Sequence, residues 1–518
     1  MRPEVMLRRY PAALVILLTL NACNSGPDFS PPEWLSPASW FANKAEQISK
    51  AQSVPVAEPI DPNWWNVFHD RQLTALEHRI AGENLDVQVA TARLAESRAQ
   101  LGITGAAQYP NINANASYEK DKASNSGVFA SAPNALGANG ALGNTAGGLK
   151  SSKLAAFDIY QGGFDASWEL DLWGNIRRAV ESARASVEAS AEARRATLIS
   201  SQAELARDYV QLRGAQLELK ISRDNLRTAE QGLQLTQQRA AGGVTTDLDV
   251  ANAAAQVRTT AAQIPPLEQR ESEFINAISL LLGLPPNALQ KELIPAKPVP
   301  PVPPRVPVGV PSEWARRRPD IRQAEAQLHA ATAEIGVSVA NFYPQVTLSG
   351  SLGFQALQPN KVFDVNALQF AAGPSISVPI FQGGQLRATL ELSKAQQKEA
   401  AINYQKTVLN AWTEVDNALT AYQTEQARRN QLTQAVAENE RALSLAQSRY
   451  QDGVADFLQV LTAEENLLST QQQLAISTTN VSANLVALYK ALGGGWETQM
   501  PRANDNLSPL GAPRWPKL

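Results

Sequence analysis

Two stretches of the chain share one spelling: RAAGGVTTDLDV at residues 239–250 and RYQDGVADFLQV at residues 449–460. In both, Arg is followed at the same distance by Gly-Val and then by Leu and Val, 210 residues apart (449 − 239). A long internal repeat constrains a fold strongly, because it requires one structural unit to be used twice. The same offset places Leu282-Gly283 on Leu492-Gly493, and Gly174 with Arg177 on Gly384 with Arg387. Further upstream the offset becomes 234, placing Leu94 on Leu328, Gly102 on Gly336, and Tyr109-Pro110 on Tyr343-Pro344. The 24 surplus residues (234 − 210) lie between Pro110 and Gly174. That interval contains KASNSGVFASAPNALGANGALGNTAGG, which lacks periodicity and reads as a long exposed loop.

Each half gives one element order: a short helix (84–107 and 319–341), two strands, a very long helix, and a helix of about 36 residues (247–282 in the first half). Leu198, Leu205, Leu212, Leu219, Leu226 and Leu233 recur every seven residues. Their counterparts are Val408, Val415, Tyr422, Arg429, Val436 and Leu443, one register with one polar break. A seven-residue apolar repeat held this long is a coiled-coil seam. From Asn175 to Arg239 such a helix spans about 98 Å, so it belongs in a bundle or tube. Low aromatic (6%) and charged (18%) content suits long helices with small contact residues.

The expected organisation is a signal peptide at 1–22, an N-terminal strap at 23–62, a first repeat at 63–294, a linker at 295–311, a second repeat at 312–496 and an irregular tail at 497–518. The linker, PAKPVPPVPPRVPVGVP, has too many prolines for a helix and favours an extended strap. Arg2, Arg8 and Arg9 precede the apolar run AALVILLTL, and small residues follow, as in a secretory signal peptide. That run is too short to span a bilayer, which needs about 20 residues. Cys23 is the sole cysteine, so no internal disulfide is possible and the thiol needs another use.

Four segments alternate with period two, as half-buried strands do. Ile112, Ala114, Ala116 and Tyr118 share a face opposite Asn111, Asn113, Asn115 and Ser117. Phe164, Ala166, Trp168 and Leu170 oppose Asp165, Ser167, Glu169 and Asp171. Val346, Leu348, Leu352 and Phe354 oppose Gln345, Thr347, Ser349 and Ser351, while Ile376, Val378 and Ile380 oppose Ser375 and Ser377. Aromatic residues bracket each strand: Tyr109 and Tyr118, Tyr160 and Trp173, Tyr343 and Phe354, Phe370 and Phe381. A soluble sandwich shares the alternation. The aromatic rims, with no 18-residue apolar run after the leader, point instead to an outer-membrane barrel. Four strands cannot close one, because the smallest have about eight, so the barrel reading requires several copies of the chain.

Leu-Asn-Ala-Cys at 20–23 resembles the lipobox of bacterial lipoproteins. That resemblance implies cleavage before Cys23 and its acylation with diacylglycerol and palmitate, and Asn24 is compatible with outer-membrane sorting. Lipobox, twofold repeat, Tyr-Pro before strands and paired Arg/Gly-Val turns together resemble the outer membrane factor family, the TolC-like and OprM-like exit ducts of Gram-negative bacteria. The resemblance covers essentially the whole mature chain. It implies an α+β membrane protein: a homotrimer with a 12-stranded β-barrel, four strands per chain, and a long α-helical periplasmic tube. It also implies a periplasmic adaptor and an inner-membrane pump, often of the proton-driven resistance-nodulation-division class.

Carried onto this chain, the turns are the tube's periplasmic tips, with Gly243, Val244, Thr245, Gly453, Val454 and Ala455 facing the adaptor. Asp249 matches a family aperture acid, and Asp247 and Asp456 lie close enough to contribute. Three-fold rings of carboxylates concentrate negative charge and favour cations. Gln459 and Thr462 stand where relatives can carry acids, so a strong second ring is not implied. Arg239 and Arg449 are candidates to tether neighbouring helices in a closed state, against the plainer reading of solvated helix-end charges.

Other classes find less support. His69, His78 and His329 are scattered without metal spacing, so no enzyme site and no cofactor are expected. A net charge of −3 gives no ground for a nucleic-acid partner. A lipid-anchored periplasmic coiled-coil scaffold would explain the heptads but not the strands. Within the duct reading, drug efflux and type I protein secretion stay open, because the partner pump decides between them.

Overall fold

The computed structural model describes residues 25–32, 53–122, 156–309, 314 and 316–500. The chain divides into two compact units, and each repeat contributes segments to both. One unit holds Gln100–Ala183 and Ala331–Gln396 with the N-terminal residues to Phe29; the other holds Ser30–Ala99, Arg184–Ala330 and Gln397–Leu518.

The repeat is visible in the element lengths. Helices α2 (Leu85–Ala106) and α7 (Pro319–Ala340) are each 22 residues. Helices α3 (Asn175–Ala241) and α8 (Gln385–Gln451) are each 67 residues. In the sheet-bearing unit, β2 (Asn111–Asp121), β3 (Phe157–Leu170), β5 (Gln345–Ala356) and β6 (Leu368–Ser377) pair antiparallel in the order β2-β3-β5-β6. The fourth strand differs from expectation: it covers 368–377 rather than 374–380. Val378, Ile380 and the rim candidate Phe381 lie beyond its end.

The helix after the first tip also differs. The sequence suggests one helix over 247–282, but the chain forms α4 (Asp247–Ala262) and α5 (Ile264–Leu281). Pro265 and Pro266 explain the break, since a proline is tolerated in a helix's first turn but not in its interior. The second repeat has Ala475-Ile476 at these positions, and α9 runs unbroken from Phe457 to Leu492.

In the helical unit the seam is buried over most of its length, with Leu198, Leu205, Leu212, Val415 and Tyr422 fully inaccessible, while Leu226, Leu233, Arg429 and Val436 are half-buried. The inaccessible residues join Trp64, Trp65 and Phe68 and the helix α1 (Arg71–Glu83), which the sequence reading did not separate from the strap and α2. Asp70 caps α1 by accepting the amides of Gln72 (2.8 Å) and Leu73 (3.2 Å). Trp64 stacks on Tyr489 of α9 with ring centroids 5.4 Å apart. The N-terminal strap and the linker, the latter expected to be extended, meet in a short parallel pair, β1 (Val54–Val56) with β4 (Arg305–Pro307). Ser53 fastens that pair to α8, its amide donating to Gln426 Oε1 at 3.0 Å and its Oγ accepting from Tyr422 at 2.7 Å. Arg213 is buried and donates to the carbonyls of Leu293 and Pro295 at 3.1 Å each, tying α3 to the segment that includes α6 (Gln290–Leu293).

Candidate functional site

The two repeated turns have one construction. Gly243 has φ 72° and Gly453 has φ 75°, the left-handed region that favours glycine. Gly243 N–H donates to Ala240 O at 2.9 Å and Val244 N–H to Arg239 O at 2.9 Å. In the second tip Gly453 N–H donates to Tyr450 O at 3.1 Å and Val454 N–H to Arg449 O at 2.9 Å. This is the Schellman helix stop, with glycine at the left-handed position and its two N–H bonds closing orphan carbonyls. The shared Arg–Gly-Val spacing is therefore helix-termination chemistry, with Arg supplying a carbonyl and cationic charge at the helix's negative end.

After each stop a capped helix begins. Thr246 caps α4 in a capping box, accepting Asp249 N–H while the Asp249 carboxylate accepts Thr246 N–H at 3.2 Å. The same carboxylate accepts the hydroxyls of Thr245 (2.5 Å) and Thr246 (2.9 Å). The Thr245 hydrogen bond leads in holding Asp249 below the usual carboxylate range. Asp456 caps α9 by accepting Gln459 N–H at 3.2 Å. Asp247 is exposed in the first turn of α4.

Arg239 joins the two tips of one chain. Its Nη1 donates to Gln451 O at 3.1 Å, and its guanidinium lies 4.6 Å over the Tyr450 ring. Tyr450 packs on Phe457 at 5.3 Å, within a small core with Leu443, Val460 and Leu467. Arg449 is exposed. Thr245 and Ala455 are half-buried, whereas Val244, Leu248, Val454 and Leu458 are all exposed. Leu248 and Leu458 were in the repeated motif from the start but were not singled out; their matched offset was the available signal.

The sheet is the second part of the site. Its register places most large apolar side chains on one face, with Phe157 and Ile159 near the start of β3 on the other: Phe164 lies opposite Ala114 and Leu352, and Leu352 opposite Phe370. Trp168 lies opposite Leu348, and Ile376 opposite Val346. Asn113, Asp165, Ser351 and Ala371 line one rung of the other face. Phe164, Leu352, Phe370 and Ile376 are exposed in the single chain. Tyr118 sits opposite Tyr160 with ring centroids 5.0 Å apart near one end of the sheet. At the helix-bearing end Trp173 stacks on Tyr343 at 4.8 Å and donates its indole N–H to Pro344 O at 2.8 Å. Trp168, not counted in the rims from sequence, donates to Gln108 O at 3.1 Å, close to Tyr109 in sequence.

The N-terminal segment is docked beside these residues. Arg178 holds Ser25 O at 3.1 Å and Asp28 at 2.6 Å, and Ser25 N–H donates to Trp173 O. Gly26 lies so close to Gly336 that a Cβ would meet its Cα at 2.6 Å. The anchor candidate Cys23 lies outside the described residues. Among the described residues no helix is long and apolar enough to cross a membrane.

A family model described as outer membrane efflux protein matches residues 76–284 and 310–494. Nodulation protein T of Rhizobium leguminosarum bv. viciae is 33% identical over 94% of this chain and 93% of its own. The toluene efflux pump outer membrane protein TtgC of Pseudomonas putida is 30% identical, covering 95% of this chain and 97% of its own. Among solved structures the outer-membrane channel OprN superposes with a TM-score of 0.82 at 34% identity, over 92% of this chain and 100% of that one.

Proposed function

This chain belongs to the outer membrane efflux protein family, and from that premise we propose how three copies make one duct. It is an outer membrane channel of an efflux system. The observation that carries the assembly is the sheet: one face apolar and exposed across all four strands, with β2 and β6 left as edges. Unpaired edges cannot face hydrocarbon, because each open N–H and C=O there costs several kcal/mol. With an even number of antiparallel strands per copy, β6 of one copy runs antiparallel to β2 of the next, and a ring closes without a parallel seam. Three copies give twelve strands, with Phe164 and Leu352 toward lipid and Asp165 and Ser351 toward the lumen. From Tyr160 to Trp168 is about 26 Å along β3, close to the roughly 25 Å apolar band of such barrels.

Acylated Cys23 adds an anchor two residues before Ser25, whose amide donates to Trp173 O. The exposed Val244, Leu248, Val454 and Leu458 receive a periplasmic adaptor, which links the duct to an inner-membrane pump of the resistance-nodulation-division class. Cargo is small molecules such as drugs. The Arg239 bond to Gln451 holds the tips in the gated state. Purified protein is expected to migrate as a heat-modifiable oligomer and to give discrete conductance steps in planar bilayers. Absence of steps from the parent protein and from a tip-released Arg239→Ala variant alike would sink the duct.

A further inference from the structure

The connection between β5 and β6, residues 357–367, does not stand away from the sheet. Successive turns fold it: Lys361 N–H donates to Gln358 O at 3.1 Å, Asp364 N–H to Lys361 O at 3.1 Å and Ala367 N–H to Asp364 O at 2.9 Å. The Asp364 carboxylate also accepts Asn366 N–H at 3.0 Å. This construction turns Phe363 back onto Phe354, ring centroids 5.9 Å apart in an edge-on arrangement. Phe354 stands opposite Gly162 and Leu368, so it belongs to the apolar face and not to the polar one. The loop therefore covers the outside of the sheet's far end. Phe354 becomes half-buried, while Phe363 is left 85% exposed and Val365 82%.

We propose that this loop is a membrane-contacting flap, with Phe363 and Val365 seated among acyl chains of the outer leaflet. The inference rests on the barrel reading above and adds a lipid-facing element that is not a strand. The occupant follows from continuity: Phe363 touches Phe354, and Leu368 and Phe370 continue the same apolar surface along β6. Large exposed apolar residues joined into one patch mark a contact surface, and the medium already wetting that face is hydrocarbon.

The test uses full-length protein with Cys23→Ser, into which single cysteines are placed for a nitroxide label by Phe363→Cys, Val365→Cys, Phe370→Cys and Ser375→Cys. Each is reconstituted in phosphatidylcholine vesicles, and its collisions with oxygen and with a polar nickel chelate are compared. Oxygen partitions into the hydrocarbon and the chelate into water. Labels at 363 and 365 should give oxygen-to-nickel ratios within about twofold of that at 370, and several-fold above that at 375. A lipid-like ratio at 370 with water-like ratios at both 363 and 365 overturns the flap and leaves the barrel standing. A water-like ratio at 370 overturns both. Two loop positions are used so that one poorly folding variant does not decide the result.

Discussion

At the scale of single residues, two acids of the tips, Asp249 and Asp456, serve the backbone. Asp249 accepts hydrogen bonds from Thr245 and Thr246, so its charge is committed to the capping box. Thr246→Ala should cost about 1 kcal/mol of local helix stability, as lost caps do. It should show as roughly fivefold faster exchange of the Asp249 and Val250 amides. Because the folded carboxyl titrates below its ordinary value, its contribution is present above about pH 4 and is lost as pH falls through the folded value. Protection of Val250 in the parent should therefore fall in strong acid, once the pH dependence of intrinsic exchange is removed. Glu77 behaves oppositely. It is fully buried, neither carboxyl oxygen has a hydrogen-bond partner among the described residues, and burial pushes its acid well above the usual range. A raised value contributes stability that is full below the unfolded value, about 4.3, and lost as pH rises toward the folded one. The Tm advantage of Glu77→Gln over the parent should accordingly be largest at high pH and shrink on acidification. Parallel Tm curves would mean that Glu77 is ionised and paired.

At the scale of elements, the repeat explains more than similarity of sequence. A helix of 67 residues needs a seam to hold it and a signal to end it, and both are encoded twice. Leu205 is inaccessible at the middle of the α3 seam, whereas Leu409 on α8 is 52% exposed in the single chain. Leu205→Ala should cost 2–5 kcal/mol by emptying a packed core, measured by denaturant midpoint with unchanged slope. Leu409→Ala should cost much less in the separated chain. A comparable loss at both positions would mean that the exposed flank is covered in the assembly. The break between α4 and α5 shows the limit of periodicity as a guide. Apolar spacing continues through 247–282, yet Pro265 and Pro266 interrupt the hydrogen-bond ladder whatever the spacing.

At the scale of the whole molecule, the proposed barrel sets one face of the sheet in hydrocarbon and the other in water. Phe164→Arg, at mid-face, should cost about 2–4 kcal/mol of insertion free energy and lower the yield of heat-modifiable oligomer. Ser351→Arg, one residue before Leu352 on β5, points to the other face. It should insert normally and shift single-channel conductance and ion selectivity instead. Normal insertion of both variants would contradict the orientation of the sheet.

Much of this was legible in the sequence because it depends on local rules. The repeat sets equal helix lengths, the leucine register sets the buried seam, and alternation sorts Phe164 from Asp165 without reference to any distant residue. The 24 surplus residues between Pro110 and Gly174 are likewise a matter of counting, and they reappear as a connection of 35 residues between β2 and β3 against 11 between β5 and β6. Other features require parts of the chain to meet, and no local rule reports that. The pairing of Val54–Val56 with Arg305–Pro307, the burial of Arg213 on distant carbonyls and the reach of Arg239 to Gln451 are long-range contacts. So is the fold of Phe363 onto Phe354. Propensity, period and capping act over a few residues, and the sequence alone determines what they control; packing acts through space, so only the tertiary structure decides which surfaces it joins.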